Sequence, residues 1–149
     1  MKTQHLEQRL ASVLLFLRVS VFLVMGIWVL DKFLNPGHAS AVFETFYGVS
    51  GLGKAAFLAL GSLQAIIVLA FLAGYEKTIS YGLVLLMHLG STLVSIPRYL
   101  DPFTGSNLLF FAAWPMLGAL VALYLLREYD TLFTLKQSVK ESELAEVTG

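Results

Sequence analysis

An all-α integral membrane four-helix bundle is the fold class predicted for this chain, and three features of the sequence predict it. Only 13% of the 149 residues are charged and 57% are apolar, about half the charged share of an ordinary soluble domain. A soluble bundle of this length could not build a polar outer face from so few charges. Four apolar runs each reach the roughly 20 residues that a helix needs to cross the hydrocarbon core. None alternates with period two, so the backbone polar groups, which lipid cannot satisfy, must close within helices rather than in a barrel. The length suits one domain, residues 1–149.

The first span is predicted over residues 12–34 and ends at Asn35-Pro36-Gly37, a strong helix stop. No small-residue cleavage site follows it, so it reads as a retained helix and not a signal peptide. Between the first two spans, Ala39, Val42, Phe43, Phe46 and Tyr47 fall on one helical face with Glu44 opposite. That segment, residues 39–48, is too short to span and is predicted to lie flat as a short interfacial helix. The second span covers residues 52–75 and turns at Glu76-Lys77. The third covers 78–96 and stops at Pro97, because proline disfavours helix in the residue before it. A loop, Asp101-Pro102-Phe103-Thr104-Gly105, leads into the fourth span at 107–127. The polar tail, 136–149, is expected to be frayed or disordered.

Lysine and arginine in the short flanks set the expected orientation. Lys2, Arg9, Lys77, Arg127, Lys136 and Lys140 fall on one side, and Lys32, Lys54 and Arg98 on the other. With an even number of spans, both termini are expected in the cytoplasm. The formal net charge is zero and no basic patch occurs, so nucleic acid is not an expected partner. Cysteine is absent, which excludes disulfides, thiolate-ligated Fe–S clusters and thiol redox chemistry within the chain. No metal site is expected. Electrons, if any pass, would need a bound cofactor or a partner.

Ionisable groups inside spans cost on the order of a few kcal/mol each by insertion scales, so each requires an account. Arg18 lies about a third of the way into the first span. It either snorkels to the headgroups or faces inward to pair with a buried acid or an anionic head group. Asp31 and Lys32 close the same span. Lys32 returns to nearly the face of Arg18, and both end charges read first as interfacial anchors. At the outer rim, Arg98, Tyr99 and Asp101 could join them in a salt-bridge cluster or a binding mouth, with structure the safer expectation.

His88 stands at the middle of the third span, on a stripe with Tyr81, Thr92, Ser95 and Tyr99. Such a stripe must face protein. Its ordinary role is interhelical hydrogen bonding; the sharper one is a proton relay or a bond to a quinone carbonyl. Haem is disfavoured, because His5 and His38 lie at or beyond interfaces and leave no second mid-span histidine. Gln64 in the second span is a further polar group. Pro115 should free the carbonyl of Phe111 and bend the fourth helix. Gly61 with Ala65, and Gly118 with Ala122, should let helices approach closely.

Several stretches together resemble the DoxX-like family of small four-helix bacterial membrane proteins. They are Leu17-Arg18, Gly26, Asp31-Lys32-Phe33-Leu34-Asn35-Pro36, the aromatic stretch 43–47, and Leu125-Leu126-Arg127 at the end of the fourth span. The family pattern combines an arginine early in the first helix, a mid-helix glycine and a lysine at the outer end. The resemblance covers most of the chain. Relatives include the membrane subunit of a thiosulfate:quinone oxidoreductase and proteins that tether soluble redox enzymes to the membrane. It therefore implies a bacterial cytoplasmic (inner) membrane protein that supports redox chemistry. Arg18 is deeper here than the family pattern leads one to expect.

The leading expectation is an accessory or anchoring subunit without independent activity, in contact with membrane lipid and other membrane protein subunits. A quinone-sized pocket would form near His88, Arg18 and Arg98. The alternative is a purely structural subunit, its polar groups satisfied internally, packed on a larger membrane complex. A permeation pathway would need a continuous polar path, and the stripe on the third span reaches only its middle and outer half.

Overall fold

In the computed structural model, residues 2–135 are described; the polar tail lies outside them. Helix α1 runs Lys2–Leu34, α2 Pro36–Tyr47, α3 Lys54–Leu72 and α4 Lys77–Val94. The short α5, Ile96–Leu100, precedes a 3-10 segment, Asn107–Ala112, that leads into α6, Ala113–Leu125. A last 3-10 turn, Arg127–Tyr129, follows. No strand occurs among the described residues. Four helical stretches are long and apolar enough to cross a membrane: Thr3–Leu34, Lys54–Leu72, Lys77–Val94 and Asn107–Leu125.

The four long helices close a ring in which α1 packs on α3, α3 on α4, α4 on α6 and α6 back on α1. One end of the ring, the terminal end, holds the chain N-terminus, the α3–α4 turn and the residues after α6. The distal end holds α2 and α5. At its centre, Leu14, Val21, Met25, Val68, Phe71, Val84, Leu120 and Leu123 form a continuous apolar core. The inside also buries Arg18, Lys32, His88, Thr92, Ser95 and Asp130, while Phe16, Leu23, Ile27, Leu63, Ile66, Leu86 and Leu125 point outward. An outer surface of large aliphatic side chains around an interior that also holds several polar groups is unlike a helix bundle that faces water.

Several boundaries differ from expectation, each for a local reason. Helix α1 begins ten residues earlier than the predicted span, at Lys2, because nothing in its polar N-terminal turns breaks a helix. Helix α2 starts at Pro36, since a proline in the first turn lacks only an N–H that would be unbonded anyway. Gly48, with φ +66°, ends it by returning its N–H to Glu44. Likewise Pro97 opens α5 and does not simply end α4. Pro115 bends no continuous α-helix: it falls in the first turn of α6, and the residues before it wind as 3-10.

Small-residue contacts also sort differently from the expected stripes. Gly61 lets α1 close on α3, where an added Cβ would stand 3.1 Å from the Phe33 ring. Gly118 meets nothing within 4 Å. Between α4 and α6 the close approach falls on Gly82, which faces Tyr124.

Candidate functional site

Two cations on one face of α1 are buried at opposite ends of the bundle, and their surroundings differ. At the terminal end Arg18 is 1% exposed and forms an ion pair with Asp130, 0% exposed, with Nη1 to Oδ2 at 3.3 Å. The Tyr81 hydroxyl bridges the two: it accepts from Arg18 Nη1 at 3.2 Å and donates to Asp130 Oδ2 at 2.7 Å. Arg18 Nη2 donates to the Leu132 carbonyl at 2.6 Å and to that of Phe133 at 3.4 Å. This is the inward-facing alternative of the two open for Arg18, and a buried acid fulfils it.

The chain beyond α6 is thereby drawn beneath the ring. Lys77 Nζ donates to the Asp130 carbonyl at 2.7 Å, and the Leu135 N–H to the Ala73 carbonyl at 3.0 Å. Gly74 has φ +60°, and an added Cβ would stand 2.5 Å from Thr134 Cγ2 and 2.8 Å from Arg18 Nη1. Only glycine fits there without displacing the latch. Asp130 was not singled out from sequence, because it lies past the end of the fourth apolar run. The visible signal was the return of apolar residues, Leu132, Phe133 and Leu135, directly after the charged stretch Arg127-Glu128-Tyr129-Asp130.

Towards the distal end, the ring encloses a cavity of about 600 Å³. Its walls come from α1 (including Met25, Trp28 and Lys32), α2 (Phe43, Phe46, Tyr47), Gln64 of α3, His88 of α4 with Ser95 just past its end, and Met116 of α6. Val24, Trp28 and Leu109 are both lining and exposed, so the mouth opens sideways between α1 and the segment that precedes α6. The volume lies within the roughly 300–1,000 Å³ of small-molecule sites, and a mostly apolar wall with a few polar groups is their usual make-up.

His88, 7% exposed, places Nε2 2.9 Å from the Ala113 carbonyl. A carbonyl only accepts, so Nε2 carries the proton, and in the neutral ring Nδ1 is left as an acceptor. No side chain or backbone group among the described residues bonds to Nδ1. Axial ligation of a haem through Nε2 would break the bond to Ala113. Among the described residues Lys32, 8% exposed, donates to the Trp28 carbonyl alone, at 3.0 Å. It is no exposed anchor.

The expected rim cluster does not form among the described residues. Asp31 is committed elsewhere: its Oδ2 lies 2.7 Å from His38 Nδ1, and its Oδ1 accepts from Asn35 Nδ2 at 3.3 Å. Asp101 uses its carbonyl to accept from Asn107 Nδ2 at 2.8 Å. Arg98 sits over the Phe46 ring, 5.4 Å from its centroid. No carboxylate among the described residues lines the cavity. Of the three residues expected around one pocket, only His88 lines it; Arg18 belongs to the latch, and Arg98 backs a wall through Phe46. Tyr47, on α2, has its pKa raised by burial, so its phenol stays protonated at neutral pH.

A hollow of about 610 Å³ lies outside the ring, between the first turns of α1 and residues 128–132. All of its polar lining side chains, His5 and Glu7 among them, are exposed, so it lacks the marks of a built site. Among the described residues, no group of three His, Cys, Asp or Glu is placed to hold a metal ion. Comparison with protein-family models, curated proteins and solved structures finds no match to this chain. The functional reading therefore rests on the geometry and on the sequence resemblance.

Proposed function

We propose that this chain is a four-span accessory subunit of a bacterial cytoplasmic-membrane redox complex, anchoring a partner and holding one quinone-sized lipophilic molecule. The side-opening cavity is the observation that carries this reading. In a bilayer its mouth between α1 and the 3-10 segment would face acyl chains, and a lipophilic occupant could pass in without crossing water. His88 Nδ1 would face the occupant as an acceptor, suited to a quinol hydroxyl, and Lys32 would offer N–H donors. The orientation expected from the flanking lysines and arginines puts both termini in the cytoplasm and Lys32 near the outer leaflet. Helix α2, amphipathic and packed on α1 and α3, would then lie at that outer interface as a roof over the cavity.

A purely structural subunit would have its interior polar groups satisfied by one another. The Arg18–Tyr81–Asp130 latch comes near that description, although Arg18 Nε and Asp130 Oδ1 are buried without a partner. The side chains of Lys32 and His88 each make one hydrogen bond among the described residues and line the cavity, which favours the ligand-holding alternative. Gentle isolation from native membranes, with identification of the co-purifying proteins and chromatography of the lipid extract, tests the proposal. A redox enzyme in the isolate and a quinone in the extract, the quinone lost in His88→Leu, are the expected results. An isolate without protein companions and without quinone would overturn it.

A further inference from the structure

Lys32 has an incomplete coordination shell in a place where that is costly. It is more than nine-tenths buried and lines the cavity, yet among the described residues it makes one hydrogen bond, to a carbonyl one turn back on its own helix. An ammonium has three N–H donors. The nearest carboxylate in sequence, Asp31, acts on Lys32 through space but spends its hydrogen bonds on His38 and Asn35, and no acidic side chain among the described residues lines the cavity. Buried charges in proteins are ordinarily paired. Arg18, on the same helix face, obeys that rule with Asp130. Lys32 forms no ion pair among the described residues, so a full counter-charge must come from beyond them.

The remaining walls specify the rest of that molecule. From Lys32 the cavity extends along α1 to Leu17, about 22 Å at 1.5 Å per residue. Val21, Val24, Met25, Val29, Met116 and Ala119 line this path. We propose that the cavity is a binding site for a single-chain amphiphile with a carboxylate head, its head on Lys32 Nζ and its chain lying along α1 towards Leu17. A long-chain fatty acid is the simplest member of the class. The carboxylate would complete the ammonium's hydrogen bonds with charge-assisted ones and neutralise the cavity. This inference rests on the cavity described above as a ligand site and names a second class of occupant for it, independent of the quinone and of any redox partner.

The chain has two tryptophans, and Trp28 lines the cavity, so Trp114→Phe leaves one reporter at the site. That protein, full length in phosphatidylcholine nanodiscs, is titrated with a dibrominated stearic acid and with its methyl ester, and quenching of Trp28 is followed. The acid should quench saturably at a concentration about ten- to a hundredfold below that of the ester, the worth of one charge-assisted hydrogen bond. Lys32→Met should erase that difference, and Lys32→Arg should keep most of it. Saturable quenching by acid and ester at equal concentrations, or an advantage of the acid that survives Lys32→Met, would overturn the carboxylate proposal while leaving the cavity as a neutral-ligand site. Quenching that never saturates with either probe would remove both. Circular dichroism of each variant separates loss of binding from loss of fold.

Discussion

Arg18 and Lys32 share a helix, a face and nearly complete burial, yet the bundle treats them in opposite ways. Around Arg18 the chain supplies a carboxylate, a bridging phenol and two carbonyls, and the segment beyond α6 folds back to deliver them. Around Lys32 it supplies one carbonyl and a cavity. A buried ion pair rarely adds net stability over a well-packed apolar substitute, but removal of one partner is severe. The terminal end is thus a charge-paired unit that ties the helices together, although Arg18 Nε and Asp130 Oδ1 are left without hydrogen-bond partners. The distal end keeps a charge in reserve, which a molecule passing into the cavity would use.

The largest expected effect comes from breaking the charge-paired unit. Asp130→Ala should destabilise the bundle by about 3–5 kcal/mol, because Arg18 would remain buried without a counter-charge. Unfolding in mixed detergent micelles measures it. The double variant Arg18→Met/Asp130→Leu should recover most of that loss; if it is as unstable as the single variant, the pair is not the unit described. Gly74→Ala should cost about 1–3 kcal/mol, through the positive φ and the crowding of Thr134 and Arg18. Protease sensitivity after α6 should rise in the same variant, since the latch would be displaced.

Smaller effects sharpen the contrast. Tyr81→Phe keeps the ring against Phe71 but takes one hydrogen bond from Arg18 and one from Asp130, an expected loss of about 1–2 kcal/mol in the same unfolding assay. Lys32→Met, at another buried site on the same helix, should leave ligand-free stability unchanged or slightly raised, since it removes a desolvated charge that forms no ion pair among the described residues. A loss of more than about 1 kcal/mol there would mean that Lys32 has a structural partner and that the two ends are alike after all.

Much of the candidate site could be read in advance, and its grouping could not. Helical spacing put Tyr81, His88, Thr92 and Ser95 on one inward stripe of α4, and all four are buried. The 14-residue offset placed Arg18 and Lys32 on one face of α1, and both turn inward. Periodicity says nothing, however, about where along the bundle a partner stands. Tyr81 and His88 are neighbours on a stripe, yet one closes the latch and the other lines the cavity. Asp130 was missed because it lies beyond the last apolar run, where no helical period carries a residue back to the bundle. Lys32 read as an anchor because its position at a span end resembles that of many interfacial lysines.

Composition and run length by themselves determined the class of this protein: four long apolar helices, too few charges for a water-facing surface, and no cysteine chemistry. Those properties follow from the local chain, since backbone satisfaction and apolar area are summed residue by residue. Only the tertiary structure decided which buried charge is answered and which is not. The answer to Arg18 comes from a residue 112 positions away in the chain, on a segment that turns back after α6 and packs against Gly74. The open coordination of Lys32 depends on Asp31 turning to His38. Both are consequences of packing between distant segments, which no local pattern records.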